Sequence, residues 1–128
     1  MIYGVGTDLV SLKRIVRLNK KFGMSFAERI LSPEELLEFP QVGKPINYLA
    51  KRFAAKEAFA KAVGTGIRGA VTFRNIGVVH DALGKPEFFY AAPLAQWLKE
   101  QGIARVHLSM SDEEDTVSAF AVAEREAV

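Results

Sequence analysis

The chain contains no cysteine, and this absence excludes disulfide bridges, thiolate zinc sites, iron–sulfur clusters and cysteine nucleophiles. Histidine is scarce, because His80 and His107 are the only two in the sequence, too few for a multi-histidine metal site. No segment approaches the roughly 20 uninterrupted apolar residues of a membrane span, and the N-terminus lacks the basic-then-apolar pattern of a secretory signal. We therefore expect a cytoplasmic protein that does not bind membranes.

The composition is typical of a globular protein, with 49% hydrophobic, 10% aromatic and 25% charged residues. At the usual ~100–200 residues per domain, 128 residues predict a single domain over 1–128. A chain of this length buries roughly two thirds of its unfolded surface, which is enough for a hydrophobic core.

Charge is distributed unevenly along the chain. The net charge is +2, but residues 1–64 carry a net +5 and residues 65–128 a net −3. Most of the positive excess lies in one cluster, formed by Lys13, Arg14, Arg17, Lys20 and Lys21. Such a cluster indicates an acidic partner. A nucleic-acid-binding module is the alternative, but we expect no nucleic acid, because no aromatic residue is interleaved with the cluster.

Hydrophobic periodicity and turn residues predict the order of the helices and strands. The expected strands cover 2–10, 71–80, 87–91, 103–111 and 116–124, and the expected helices cover 12–21, 25–31, 33–40, 47–63 and 93–101. This order predicts an α+β fold, with a mostly antiparallel sheet packed against the long central helix and shorter helices.

Asp8 is the first candidate functional residue, because its carboxylate lies in an apolar, glycine-rich strand. Such a group must be paired, hydrogen-bonded or metal-bound, since desolvating it alone is costly. Gly4 and Gly6 share its face and leave room for a ligand or for another backbone. The alternative is an aspartate that only marks the end of the strand or caps the next turn.

Glu57 and Lys61 are four residues apart on the long helix and therefore share a face. As an exposed pair they would contribute only ~0.2–0.5 kcal/mol, and this is the common reason for such spacing. Phe53 lies on the same face, which argues against a fully solvated stripe. A carboxylate and an ammonium beside an apolar ring suit a site for magnesium and phosphate.

The segment from Gly64 to Gly69 matches the pattern G-x-G-x-x-G. It follows a helix and precedes a strand, the reverse of a dinucleotide-binding turn, so we reject that interpretation. Its amides could cap the helix or form an anion-binding nest. We expect structural or rim positions for both histidines, and we keep Asp112 as a possible site residue without a role.

Several stretches together resemble one family, the holo-acyl-carrier-protein synthases, which are small single-domain 4′-phosphopantetheinyl transferases. The resemblance covers essentially the whole chain. It rests on the segments 6–10 (GTDLV), 52–62 (RFAAKEAFAKA), 64–67 (GTGI), 83–86 (LGKP) and 107–112 (HLSMSD). Some relatives carry histidine after the S-x-S segment, where this chain has Asp112, so no role is transferred to that position.

The resemblance implies Mg²⁺-dependent transfer of 4′-phosphopantetheine from coenzyme A to a serine of apo acyl carrier protein, a step that supports fatty acid biosynthesis. By the same resemblance, Asp8 and Glu57 are magnesium ligands and Lys61 lies near the pyrophosphate. It also implies a homotrimer with active sites between subunits, and docking of the acidic carrier protein on the basic helix, at Arg14 and its neighbours.

Combining the resemblance with the residues, we expect Asp8, Glu57 and Lys61 to be catalytic. Coenzyme A would also contact Gly64, Thr65 and Gly66. The acceptor of the serine proton stays open between Glu57 and a water molecule on the metal. A structural oligomer without catalysis, in which both acids form buried ion pairs, is the remaining alternative.

Overall fold

A computed structural model describes residues 1–127 of the chain. Its elements in chain order are β1 (Ile2–Ser11), α1 (Leu12–Phe22), α2 (Met24–Ile30), α3 (Pro33–Glu38), a 3₁₀ turn (Phe39–Gln41), α4 (Pro45–Ala62), β2 (Ile76–His80), β3 (Pro86–Tyr90), α5 (Ala92–Glu100), β4 (Ile103–Glu113) and β5 (Thr116–Arg125). The predicted α+β class and the predicted order of elements are confirmed. Within residues 1–127, no helix has the length and apolar character needed to cross a bilayer.

The strands form two antiparallel sheets instead of one. The larger has the order β1-β5-β4, and the smaller pairs β2 with β3. The expected strand over 71–80 begins only at Ile76, because residues 72–75 form a turn. In this turn Asn75 donates from its backbone to the Thr72 carbonyl (3.2 Å) and from its side chain to the Ala70 carbonyl (2.9 Å). Local side-chain bonding therefore outweighs the β propensity of this segment.

Helix α4 lies at the centre of the fold and packs against both β1 and β5. It begins at Pro45, two residues earlier than expected, since proline suits the first helical position. Its alanines are buried and permit close approach of neighbouring backbones. The helix ends at Ala62, and Gly64 follows with a φ of +85°, as expected for a residue that terminates a helix.

Strand β1 contacts α4 through glycines. A Cβ atom on Gly4 would lie 2.2 Å from the carbonyl oxygen of Ala62, and one on Gly6 would lie 2.1 Å from that of Ala58. The sequence left open whether a ligand or another backbone fills the space beside these glycines. The structure shows that the backbone of α4 fills it. This close contact brings the next residue on the same face, Asp8, beside the helix.

The opposite face of the larger sheet is open to solvent. Val5 and Leu9 of β1 are 55% and 69% exposed, and Phe120 of β5 is 45% exposed. We call these three side chains the outer sheet face. Three large apolar residues on one open sheet face are typical of a surface that binds a partner.

Candidate active site

Asp8 lies at the contact between β1 and α4, with 16% of its side chain exposed. Its Oδ1 atom is 3.4 Å from Lys61 Nζ, whereas its Oδ2 atom is buried and has no hydrogen-bond partner. Burial raises the pKa of Asp8, although the charges of Lys61 and Arg14 oppose this increase. A buried carboxylate oxygen without a partner is costly, so a ligand at this position would lower the energy of the site.

Glu57 faces the same region from the middle of α4. Burial raises its pKa, and the negative charge of Asp8 raises it further, while Lys61 and Arg14 act in the opposite direction. A carboxylate whose pKa is raised by the charge of another carboxylate lies close to it. The structure therefore brings together two acids that are 49 positions apart in the sequence.

Lys61 is one helical turn beyond Glu57 and is held against β1. Its ammonium group donates to the carbonyl oxygen of Thr7 at 2.8 Å and contacts Asp8 at 3.4 Å. Half of its side chain is exposed (53%), so part of the ammonium group is available to an anionic ligand. The pair expected at Glu57 and Lys61 is thus not an isolated surface pair, because Asp8 joins it.

The site fits a divalent ion of the Mg²⁺ type. Its donors are carboxylate oxygens, the ligands Mg²⁺ prefers, and one of them, Asp8 Oδ2, has no partner. Across residues 1–127 no group of three or more histidine, cysteine or acidic side chains is placed to hold a metal. Two carboxylates suit Mg²⁺, which is usually bound through one or two of them while phosphate and water complete the octahedron.

The glycine segment follows Lys61 at the C-terminus of α4. The N–H groups of Gly64 and Gly66 donate to the carbonyls of Lys61 and Ala60 (3.1 and 3.2 Å), so these two amides cap the helix. The Thr65 hydroxyl donates to the Gly66 carbonyl at 2.8 Å. The sequence left open whether this segment caps the helix or binds an anion, and the structure shows capping. The Thr65 N–H has no partner among residues 1–127.

The basic cluster predicted for an acidic partner lies on α1, and all its side chains are exposed: Lys13, Arg14, Arg17, Lys20 and Lys21. The Arg14 guanidinium lies 5.4 Å from the centre of the Phe53 ring, which stacks on Phe73. The positive charge of Arg14 also opposes the increase in the pKa values of Asp8 and Glu57, so the basic surface extends to the edge of the carboxylate site.

A cavity of about 670 Å³ lies directly beside the basic cluster. We call it the apolar cavity, and its wall includes Leu18, Phe22, Phe26, Phe53 and Phe73. The sequence did not indicate this cavity, because its aromatic side chains come from three helices and a loop. Charged groups around an apolar cavity are typical of a protein-binding surface.

A second, smaller cavity of about 270 Å³ lies beside the first half of α4. We call it the basic cavity, because its wall contains Lys44, Lys51, Arg52 and His80. Asp112 lies at the same wall, 3.8 Å from Lys51. Burial, followed by the charges of Arg52 and Lys51, lowers the pKa of His80. The sequence did not indicate this set, because Lys44 and His80 lie outside the helix that carries Lys51 and Arg52.

Comparisons with known proteins identify the class. Residues 4–123 match the family model described as the 4′-phosphopantetheinyl transferase superfamily. A protein of Neisseria meningitidis serogroup A, named holo-[acyl-carrier-protein] synthase, is 84% identical over 98% of this chain and 100% of its own length. The chain therefore belongs to the 4′-phosphopantetheinyl transferase superfamily.

Solved structures narrow the comparison to one kind of enzyme within that superfamily. A crystal structure of holo-[acyl-carrier-protein] synthase from N. meningitidis matches with a TM-score of 0.96 and 82% identity, covering 98% of this chain and 100% of that one. The Bacillus anthracis enzyme, solved in complex with coenzyme A (3′,5′-ADP), matches at 0.81 and 35%, covering 99% of both chains.

Proposed function

We propose that this chain is a holo-acyl-carrier-protein synthase. It transfers the 4′-phosphopantetheine arm of coenzyme A to a serine hydroxyl of apo acyl carrier protein and releases adenosine 3′,5′-bisphosphate, a step that supports fatty acid biosynthesis. The observation that carries the proposal is the meeting of Asp8 and Glu57 beside Lys61, in a chain similar along its length to holo-acyl-carrier-protein synthases.

The reaction is a phosphoryl transfer, and it needs charge stabilisation more than covalent help from the protein. The serine oxygen forms a bond to the β-phosphorus of coenzyme A, and the bond from that phosphorus to the leaving adenosine bisphosphate breaks. Asp8 and Glu57 would hold Mg²⁺, which when bound withdraws negative charge from phosphate oxygens. Lys61 would stabilise the charge that develops on the diphosphate.

The serine proton must pass to a base as the new bond forms. Glu57 is our candidate for the base among the residues of the chain, because a carboxylate that holds Mg²⁺ through one oxygen keeps its second oxygen for a proton.

Coenzyme A would occupy the region from Lys61 to the glycine segment. Thr65 offers its N–H there, and Gly64 and Gly66, whose own amides cap the helix, would contact the ligand through their exposed backbone. The 3′-phosphate of coenzyme A is a further dianion, and the basic cavity, with Lys44, Lys51 and Arg52, has the charge to bind it.

The acyl carrier protein would dock on α1. Its acidic surface would face Lys13, Arg14, Arg17, Lys20 and Lys21, and apolar side chains would enter the apolar cavity. The contact of Arg14 with Phe53 joins the charged and apolar parts of this surface, and both lie beside the carboxylates.

A homotrimer in the cytoplasm completes the proposal, with residues 1–128 of each copy forming one domain. The exposed Val5, Leu9 and Phe120 of the outer sheet face support an assembly that buries them. In such an assembly, the carboxylate site of one copy would face a neighbouring copy that supplies the remainder of the coenzyme A site.

Mass spectrometry tests the proposal directly. Apo acyl carrier protein incubated with this chain, coenzyme A and Mg²⁺ should gain the mass of one phosphopantetheine group. The same incubation with EDTA in place of Mg²⁺ is the control and should give no gain. No mass change with the complete mixture would refute the proposed function.

A further inference from the structure

Glu35 is a buried carboxylate to which neither the sequence analysis nor the reaction assigns a role. It is 2% exposed, and it closes the N-terminal capping box of α3 by accepting from the Ser32 N–H at 2.9 Å. Its contacts extend well beyond α3, because Oε1 also accepts from Lys56 Nζ at 2.6 Å, and Oε2 accepts from the Val78 N–H at 2.8 Å. One carboxylate therefore connects α3, α4 and β2.

The same carboxylate contacts Arg52 in the wall of the basic cavity. Glu35 Oε2 is 3.3 Å from Arg52 Nε, and the guanidinium lies 3.6 Å from the centre of the Tyr48 ring. Arg52 Nη2 donates to the Val78 carbonyl at 3.5 Å. A carboxylate, an aromatic ring and a carbonyl thus fix the plane of a side chain that is only 6% exposed.

Arg52 keeps unused hydrogen-bonding capacity in this position. Its Nε atom is buried against Glu35, and Nη2 also lies 3.8 Å from Glu38 Oε1. Within residues 1–127 its Nη1 atom has no hydrogen bond or ion pair. A guanidinium held in one plane with a free donor at Nη1 can bind a phosphate oxygen. Burying charges without such a use is a poor route to stability, because apolar replacements often serve as well.

We propose that Glu35 is a positioning residue: its carboxylate sets Arg52 in the wall of the basic cavity, where Arg52 binds the 3′-phosphate of coenzyme A. This inference rests on the proposed function. Lys56 neutralises the other oxygen of Glu35 and also donates to the carbonyls of Ile30 and Phe73 (2.7 and 3.1 Å), so the carboxylate cannot turn away from Arg52.

Two variants test the role of Glu35. Glu35→Asp keeps a negative charge among the buried cations, but its shorter side chain withdraws the carboxylate from Arg52. The double variant Glu35→Gln/Lys56→Met removes a buried pair together, which proteins often tolerate. Glu34→Gln is the matched control, because Glu34 is the preceding residue of the same helical turn and is exposed.

The readout compares coenzyme A with dephospho-coenzyme A, which lacks the 3′-phosphate. In Glu35→Asp and in the double variant, the KM for coenzyme A should rise about tenfold, as expected for one misaligned charge-assisted contact. The KM values for dephospho-coenzyme A and for carrier protein should stay within about twofold, and Glu34→Gln should match the wild type.

The outcomes separate this inference from the proposed function. Equal losses for both coenzymes, unchanged KM values, or failure of both variants to fold by circular dichroism would each show a purely structural network and overturn the inference. Those results would leave the proposed function intact, since it requires only that the wild-type chain modify the carrier protein.

Discussion

Gly6 faces the carbonyl oxygen of Ala58 so closely that no side chain fits between strand β1 and helix α4. A Cβ atom on Gly6 would lie 2.1 Å from that oxygen and 2.7 Å from the backbone nitrogen of Ala62. The obstacles are backbone atoms, which cannot move without shifting the helix. The contact sets the distance between the elements that carry Asp8 and Glu57.

Gly6→Ala should therefore destabilise the fold. We expect the free energy of unfolding to decrease by about 3 kcal/mol, the upper part of the range for overpacked sites, in urea denaturation followed by circular dichroism. Gly43→Ala is the matched control, because a Cβ there meets nothing within 4 Å and Gly43 has no positive φ. Equal stability of the two variants would contradict this account of the contact.

Glu57→Gln should abolish most of the activity and leave the fold intact. We expect turnover at saturating Mg²⁺ to decrease by at least about a hundredfold, since one ligand and the candidate base are lost together. Burial and Asp8 disfavour the charged form of Glu57, so the variant should be at least as stable as the wild type in thermal unfolding. Glu100→Gln, at an exposed position at the end of α5, serves as the control. Wild-type turnover in Glu57→Gln would contradict the assignment of Glu57 to the active site.

The two carboxylates should titrate as a coupled pair. The charge of Asp8 raises the pKa of Glu57, so Asp8→Asn should lower that pKa, as measured by NMR titration of the Glu57 carboxyl carbon without metal. In the wild type, proton and metal compete for the same oxygens. Raising the Mg²⁺ concentration should therefore move the acidic limb of the pH–rate profile to lower pH, and a limb insensitive to Mg²⁺ would argue against carboxylate ligands.

Arg14→Glu should weaken docking of the carrier protein selectively. We expect the KM for the carrier to rise about tenfold or more and the KM for coenzyme A to change less than about twofold, because charge at an interface acts mainly on association. The charge of Arg14 also opposes the increase in the pKa values of both carboxylates, so each variant is assayed on the pH-independent plateau of its own pH–rate profile. Lys99→Glu, in the last turn of α5, controls for the change in net charge. Equal effects of Arg14→Glu on the KM values of both substrates would contradict the docking role.

Phe120→Asp should disrupt the proposed trimer. The substitution places a charge on the outer sheet face, where burial in an interface would be costly. We expect sedimentation to shift from trimer towards monomer, together with a loss of transfer activity at low protein concentration. Leu37→Asp makes a comparable change at an 82% exposed site on α3 and should leave both unchanged. A wild-type chain that sediments as a monomer would refute the trimer.

The sequence predicted features that depend on neighbouring residues. The helix expected over 33–40 does begin at Pro33, with Ser32 accepting from the Glu35 N–H at 3.2 Å. The expected strands 71–80 and 87–91 leave a short connection between them, and a turn forms there in which the Asp81 carboxylate accepts from the Leu83 N–H at 2.8 Å. Such contacts span a few residues, so local patterns suffice to predict them.

Contacts between distant residues could not be predicted in the same way. Lys61 meets Asp8 across 53 positions, and Glu35 meets the Val78 N–H across 43. The sequence marked Asp8 and Glu57 as unusual, but only the family resemblance placed them in one site. Nothing in the sequence indicated that Lys56, next to Glu57, is fully buried and points to Glu35.

The direct contact of β1 with α4 has a consequence for motion. Because main-chain atoms touch there, no rotamer change between the two elements can alter their separation, and strand and helix should fluctuate as one body. The pair of acids is then assembled before any ligand arrives, so capture of an ion should require little loss of conformational entropy.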